Sequence, residues 1–305
     1  MASQTDIRER VTNEIVTALK NGVVPWRKPW SPGNTGFARN VVSKKSYSGV
    51  NRLLLGCAAM NKGFQSQWWG TFNQYQWKKL ECRVRQRPAD VEAGHWGSKI
   101  IFYQSLTTTT KNKEGEEKET TFPLLKEYCV FNSEQVEGAE QFHVQAAAEA
   151  ATPDFEPAEK VIAATGADIR VIPGDKACYY RPPQDYIQIP PKAQFEQGAG
   201  GLAEWYSTAL HEIAHWCESR LNWTGSYGMG ELRAEMAACF LCAEIGIPSH
   251  NPAENHAAYL ANWIQTISED HRAIFKISSA ANAAADFILS FSRKEQSQDE
   301  DADAA

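Results

Sequence analysis

His211-Glu212-Ile213-Ala214-His215 decides how the second half of this chain is read. Positions four apart lie on one face of a helix, about 6 Å from each other, so both imidazoles can reach one divalent ion. Glu212 follows the first imidazole directly and is placed to accept a proton from a metal-bound water. Ala209, Leu210, Ile213, Ala214 and Trp216 surround the motif and predict a buried helix over 201–219. A catalytic metal site needs a third protein ligand. Glu231-Leu-Arg-Ala-Glu235 offers two carboxylates on one face of a second predicted helix, 229–245, beside the small Ala234 and Ala238. An uncompensated buried carboxylate is strongly disfavoured, and a metal removes that penalty. By spacing alone, either Glu231 or Glu235 can be the ligand.

The two helices together resemble the gluzincin metallopeptidases. That resemblance implies Zn²⁺ held by His211, His215 and Glu231, with Glu212 as general base and Glu235 holding a ligating histidine from behind. Another divalent ion such as Mn²⁺ is compatible with the same donors. Cys239-Phe-Leu-Cys242 lies inside an apolar helical stretch without glycine and reads as core. No His-x-Glu followed by Pro-Cys-x-x-Cys occurs, which excludes a zinc nucleobase deaminase. His95, His143, His250, His256 and His271 have no ligand-like spacing.

Outward from the motif, composition is that of an ordinary globular protein, 43% hydrophobic and 22% charged. The longest apolar stretch, Leu53 to Met60, is far too short for a membrane span. Charged Asp6, Arg8, Glu9 and Arg10 stand where the apolar core of a signal peptide would lie. Seven cysteines without framework spacing point to free thiols and a cytoplasmic location. The net charge of −6 hides a division: residues 1–130 carry 20 Lys+Arg and 11 Asp+Glu, while 131–305 carry 11 and 26. A basic half joined to an acidic half suggests a nucleic-acid partner for the first.

The first half also holds six of the ten tryptophans. Pro25-Trp26-Arg27-Lys28-Pro29-Trp30 is an extended, proline-restrained segment in which Trp26 and Trp30 are expected to be partly exposed. Arg39, Lys44, Lys45, Tyr47 and Arg52 follow closely. Cations that track phosphates, interleaved with aromatic faces for bases, are what single-stranded DNA binding without sequence preference requires. Trp26, Arg27, Lys28, Trp30, Arg39, Lys44, Lys45, Tyr47 and Arg52 are therefore the candidate DNA contacts. No Walker motif is present, which argues against a nucleotide-driven motor.

Periodicity predicts helices over 5–21, 50–60 and 71–80, and strands over 100–106 and 122–131 joined by a charged tip. Residues 1–137 are expected to form the DNA-binding domain and 138–154 an Ala/Glu-rich linker. A zincin-like domain is expected over 155–292, with a disordered acidic tail at 293–305. In the second domain, strands are expected at 168–172, 177–180 and 186–189, the last as an edge for peptide addition. Helices follow over 201–219, 229–245, 253–268 and 270–291. Both domains are α+β.

Several ordered strings extend along nearly the whole chain: Gly22-Val-Val-Pro-Trp-Arg-Lys-Pro-Trp30, Tyr47-Ser-Gly-Val-Asn51, Val130-Phe-Asn-Ser-Glu-Gln-Val-Glu-Gly138, Asp185-Tyr-Ile-Gln-Ile-Pro190, the His-Glu-x-x-His helix and Tyr259-Leu-Ala-Asn-Trp263. In these the chain resembles the ArdC-type antirestriction proteins. The resemblance implies an N-terminal single-stranded-DNA-binding domain joined to a zincin-like metallopeptidase, which protects incoming plasmid or phage DNA from host restriction. The peptidase would act on an unidentified host protein. The alternative is a non-enzymatic shield in which the metal only organises the fold. A relaxase is disfavoured, since no His-x-His occurs. Oligomeric state is not specified by any motif.

Overall fold

The computed structural model describes residues 3–27, 36–76, 80–111, 117–143, 154–174, 177–196, 201–248 and 256–303. Helix α1, Gln4–Lys20, opens with a capping box in which Ser3 and Asp6 bond each other's backbone. Its four-spaced Ile7, Val11, Ile15 and Leu19 are all buried, and the left-handed Gly22 and then Pro25 end it. Strand β1, Arg39–Asn40, precedes α2, Val50–Lys62, which stops at a left-handed Gly63. Gly56 lets α2 lie directly on the chain after α1, because a Cβ there would come 2.5 Å from the Pro25 carbonyl oxygen.

Strand β2, Trp68–Gly70, leads into α3, Phe72–Tyr75, a single turn where a helix over 71–80 was expected. The chain turns back instead, with the Cys82 N–H bonded to the Tyr75 carbonyl, into β3, Arg83–Val84. Strands β4, Ser98–Lys111, and β5, Glu117–Asn132, form a hairpin longer at its outer end than expected. Its threonines pair directly across the ladder, Thr107 with Thr121 and Thr108 with Thr120, as β-branched residues favour. The sheet order is β1-β2-β5-β4, and β6, Val136–Glu137, pairs separately with β3. Within the stretch expected as a linker, Ala139 and Phe142 are buried in a small core with Val41, Tyr75 and Val136. Residues 144–153 lie outside the described residues.

The second half begins with α4, Glu156–Ala164, and β7, Asp168–Val171. Strands β8, Tyr179–Arg181, and β9, Tyr186–Ile189, complete a three-stranded sheet of order β7-β9-β8. Strand β9 is parallel to β7 and antiparallel to β8, so it is central and not the expected edge. The sequence supplied its alternation but not its neighbours; β8 is the edge beside the metal helix. After α5, Lys192–Phe195, come α6, Gly201–Arg220, α7, Tyr227–Ile245, α8, His256–Glu269, and α9, Ala273–Asp303. Helix α9 runs through most of the tail expected to be disordered. Arg293 to Asp303 holds helix-forming Glu, Lys, Arg and Gln and no glycine or proline to stop it.

One apolar core joins the two halves. Ile7, Val11 and Ile15 of α1 and Leu53 and Leu54 of α2 belong to the same buried cluster as Ile213, Phe240, Trp263 and Ile274.

Candidate metal centre

Ala209, Leu210, Ile213 and Ala214 are fully buried on α6 and pin the helix so that its histidines emerge on one face. Helix α7 packs against it, and its Ala234, Ala237 and Ala238 are buried, small side chains that allow close approach between helices. Glu231 is thereby carried to the histidines. His211 Nε2 and His215 Nε2 are 3.2 Å apart, and the two Glu231 oxygens lie 3.7 and 3.6 Å from them. Among the described residues, His211, His215 and Glu231 form the one group of such donors gathered within 4.8 Å. Ligands about 2.1 Å from a tetrahedral ion are spaced roughly 3.4 Å apart, so the donor set fits a divalent metal. Two imidazole nitrogens aimed at one point also repel as acceptors unless a cation or proton lies between them.

Each histidine has a carboxylate behind it, bonded to His215 and more distant from His211. His215 Nδ1 lies 2.9 Å from Glu218 Oε1, and the buried Arg233 brings Nη1 within 3.8 Å of the same oxygen. His211 Nδ1 is 4.0 Å from Glu235 Oε2, and the other Glu235 oxygen accepts from Arg27 Nη2 at 2.8 Å. Glu231 therefore sits on the Nε2 side of both rings and Glu235 behind His211. Burial lowers the His215 pKa, but Glu218 and Glu231 outweigh it and push it up to about 9. Burial would raise Glu231, yet the two imidazoles hold it well below the usual carboxylate range.

Glu212, also on α6, is buried and only 7% exposed. Burial raises its carboxyl, against the pull of the two imidazoles and of a hydrogen bond from the Tyr180 backbone N–H on β8. The edge strand, the carboxyl and the donor cluster are thus contiguous, an arrangement suited to a base beside a metal-bound water.

Glu218 and Arg233 were missed by motif reading. Glu218 falls three residues after His215, the spacing that meets it on a helix, and Arg233 stands inside the Glu231–Glu235 string.

Comparison with known proteins follows the same division. Residues 5–131 match the family described as the N-terminal domain of anti-restriction factor ArdC, and residues 156–282 match the zincin-like metallopeptidase family. The crystal structure of antirestriction protein ArdC from plasmid R388, metal-free, superposes with a TM-score of 0.73 at 33% identity, covering 95% of this chain and 98% of that one. Its Mn(II)-bound form gives 0.70 at 32% identity, over 94% and 98%. This chain belongs to the ArdC antirestriction family. The uncharacterized protein y4eC of Sinorhizobium fredii is 31% identical over 93% of this chain and 92% of its own length. The DNA primase TraC of Escherichia coli is 33% identical over 94% of this chain, which spans only 27% of that primase.

The ArdC N-terminal unit uses its cations differently from the expectation. Trp26 is fully buried, edge-on to Trp263 with ring centroids 5.4 Å apart, and presents no stacking face. Its proline neighbour restrains the backbone without exposing the ring, and Gly56 leaves room for the segment to sink between the halves. Arg27 is paired with Glu235. Arg39 Nη2 and Arg52 Nη2 reach the two oxygens of Glu244 on α7 at 3.3 and 3.4 Å, and Arg52 is 4% exposed. These three arginines tie the halves together. Lys44 Nζ lies over the Trp68 and Phe142 rings at 4.7 and 4.3 Å. The Tyr47 hydroxyl accepts from Asn40 Nδ2 at 3.1 Å, and Lys45 is exposed. Lys28 and Trp30 lie outside the described residues.

Proposed function

We propose that this chain binds single-stranded DNA without strong sequence preference and carries a metal-dependent peptidase centre, and that it protects incoming plasmid or phage DNA from host restriction in the cytoplasm. The observation that carries the catalytic part is the convergence of His211, His215 and Glu231 with the buried Glu212 beside them. The excess of cations in residues 1–130 supports the DNA partner. Among the described residues, no helix is long and apolar enough to cross a membrane.

In this reading His211, His215 and Glu231 hold the ion. Bound there, Zn²⁺ or Mn²⁺ supplies polarisation of a peptide carbonyl and a water of lowered pKa. Glu212 would serve as the base toward the attacking water and would carry the proton to the leaving amine. Its raised pKa suits both halves of that task. Glu218 fixes the tautomer of His215 by accepting at Nδ1, and Glu235, itself held by Arg27, sets a negative charge 4.0 Å behind the Nδ1 of His211. Strand β8 offers its free edge to an extended segment of a host protein.

Glu212→Gln tests the reading, since it removes the base and spares the ligands. The variant should keep its metal, by elemental analysis, and lose self-cleavage and cleavage of host proteins. Persistent cleavage would remove Glu212 from the mechanism. Equal protection of conjugating DNA by both forms would instead favour the non-enzymatic shield.

A further inference from the structure

A groove of about 820 Å³ runs between the β4–β5 hairpin and the first turns of α9, away from the metal centre. One wall is Tyr103, half exposed and seated edge-on against the buried Phe275 with centroids 6.3 Å apart. Arg8 of α1 lies close enough to the Tyr103 hydroxyl that its charge opposes the effect of burial there. Arg272 and Lys276, both exposed, stand one helical turn apart on the other wall. Among the described residues, none of these three cations has a carboxylate within ion-pair distance, unlike Arg27, Arg39 and Arg52.

The rest of the groove suits the same kind of occupant. Asp286 is its one acidic side chain, and it already accepts from Asn282 Nδ2 at 2.7 Å. Asn282 Oδ1 is buried and has no partner among the described residues. Helix α2 starts in the groove at Gly49 with no side-chain cap, which turns the positive end of its dipole toward the same space. Two cations without an ionic partner, Arg8 and Arg272, a third, Lys276, whose ammonium lies over the Trp223 ring at 5.1 Å, and a half-exposed ring together fit a polyanion that also carries flat, hydrogen-bonding faces.

We propose that this groove carries a single strand of DNA, with phosphates against Arg8, Arg272 and Lys276 and a base stacked on Tyr103. The inference rests on the single-stranded-DNA reading above and locates it. Two of the three cations belong to the acidic half, so the strand crosses from one half to the other and is not confined to the first.

The test is fluorescence anisotropy of a labelled oligo(dT) with the full chain across a salt series. Each lost contact to a single strand lowers the slope of log affinity against log salt by about 0.7, so Arg8→Ser/Arg272→Ser/Lys276→Ser should flatten it by about 2. Tyr103→Ala should weaken binding about tenfold, and Tyr103→Phe, which keeps the ring, should restore it. All four positions are at the surface or half exposed, and Tyr103→Phe serves as the folding control. If wild type binds and the triple variant keeps its slope, the groove is the wrong place and the DNA reading stands. If wild type fails to bind at low salt, the DNA reading falls and the groove assignment falls with it.

Discussion

Replacing Glu218 by Gln should change how the proton and the metal compete for His215. Glu218 Oε1 lies 2.9 Å from His215 Nδ1. Burial disfavours the imidazolium, but Glu218 and Glu231 overcome it and the pKa rises to about 9. A divalent ion binds only the deprotonated Nε2, so below that pKa the metal must displace a proton. At pH 7 the proton therefore opposes the metal by about two powers of ten, the gap between pKa and pH. This opposition is full well below pH 9 and vanishes above it. Glu231 is ionised throughout that range, since its carboxyl is held far lower, and adds no second proton. The wild-type association constant for Zn²⁺ should then rise about tenfold per pH unit from 7 to 9 and level off. Glu218→Gln has two effects with opposite signs at pH 7. It lowers the His215 pKa, which eases proton competition, and it removes the charged support of a ligand, which weakens metal binding by about 10–100-fold. Above pH 9 only the second effect remains. The deficit of the variant should thus be largest at high pH and shrink toward neutrality. Competition against a chromogenic chelator, with the metal buffered at each pH, reads both curves. A wild-type curve that is flat between pH 7 and 9, or a deficit equal at every pH, would mean that no proton competes with the metal at His215.

Three further outcomes follow from particular contacts. Glu244→Ala leaves the buried Arg52 without its carboxylate and should cost about 3–5 kcal/mol in urea unfolding; a loss below about 1 kcal/mol would mean that the arginines find other partners. Trp26→Ala empties the site against Trp263 and should cost about 3–5 kcal/mol, measured the same way, whereas a DNA-stacking role would alter oligonucleotide affinity and spare stability. Glu235→Gln should weaken metal binding about tenfold at constant fold, as read by chelator competition, and Arg27→Met should shift it in the same direction.

Much of the second half was legible because its signals are local. The His-Glu-x-x-His pair, the Glu231–Glu235 string and the helices around them follow from periodicity and from breakers such as Gly246, which ends α7 in a left-handed turn. Long-range facts were not legible. Nothing beside Tyr186–Ile189 indicates that β7 pairs on its other side. A run of cations in sequence reads as a solvated or DNA-facing surface, yet Arg27, Arg39 and Arg52 meet carboxylates about 200 residues away on α7. The same limit hid the groove: Arg8, Tyr103 and Arg272 share no window of sequence, and only the packing of α1, β4 and α9 assembles them. Glu218 escaped for a smaller reason, since an acid three residues after a histidine on a helix is common and only its 2.9 Å contact singles it out.

The apolar cluster that runs from Ile7 through Phe240 to Ile274 has a consequence for inheritance. Recombination that transferred only residues up to about 131 would leave Ile7, Val11 and Ile15 of α1 facing open solvent, and transfer of only those from about 156 would do the same to Trp263 and Ile267 of α8. The two modules should therefore fold when transferred together as a single cassette and fail to fold apart. The TraC primases match 94% and 97% of this chain within 27% and 20% of their own lengths, as exchange of the intact cassette would leave them. Fusions should be accepted at the outer ends of that cassette or beyond the hairpin tip at Lys111 and Glu117, and rejected at the seam between the halves.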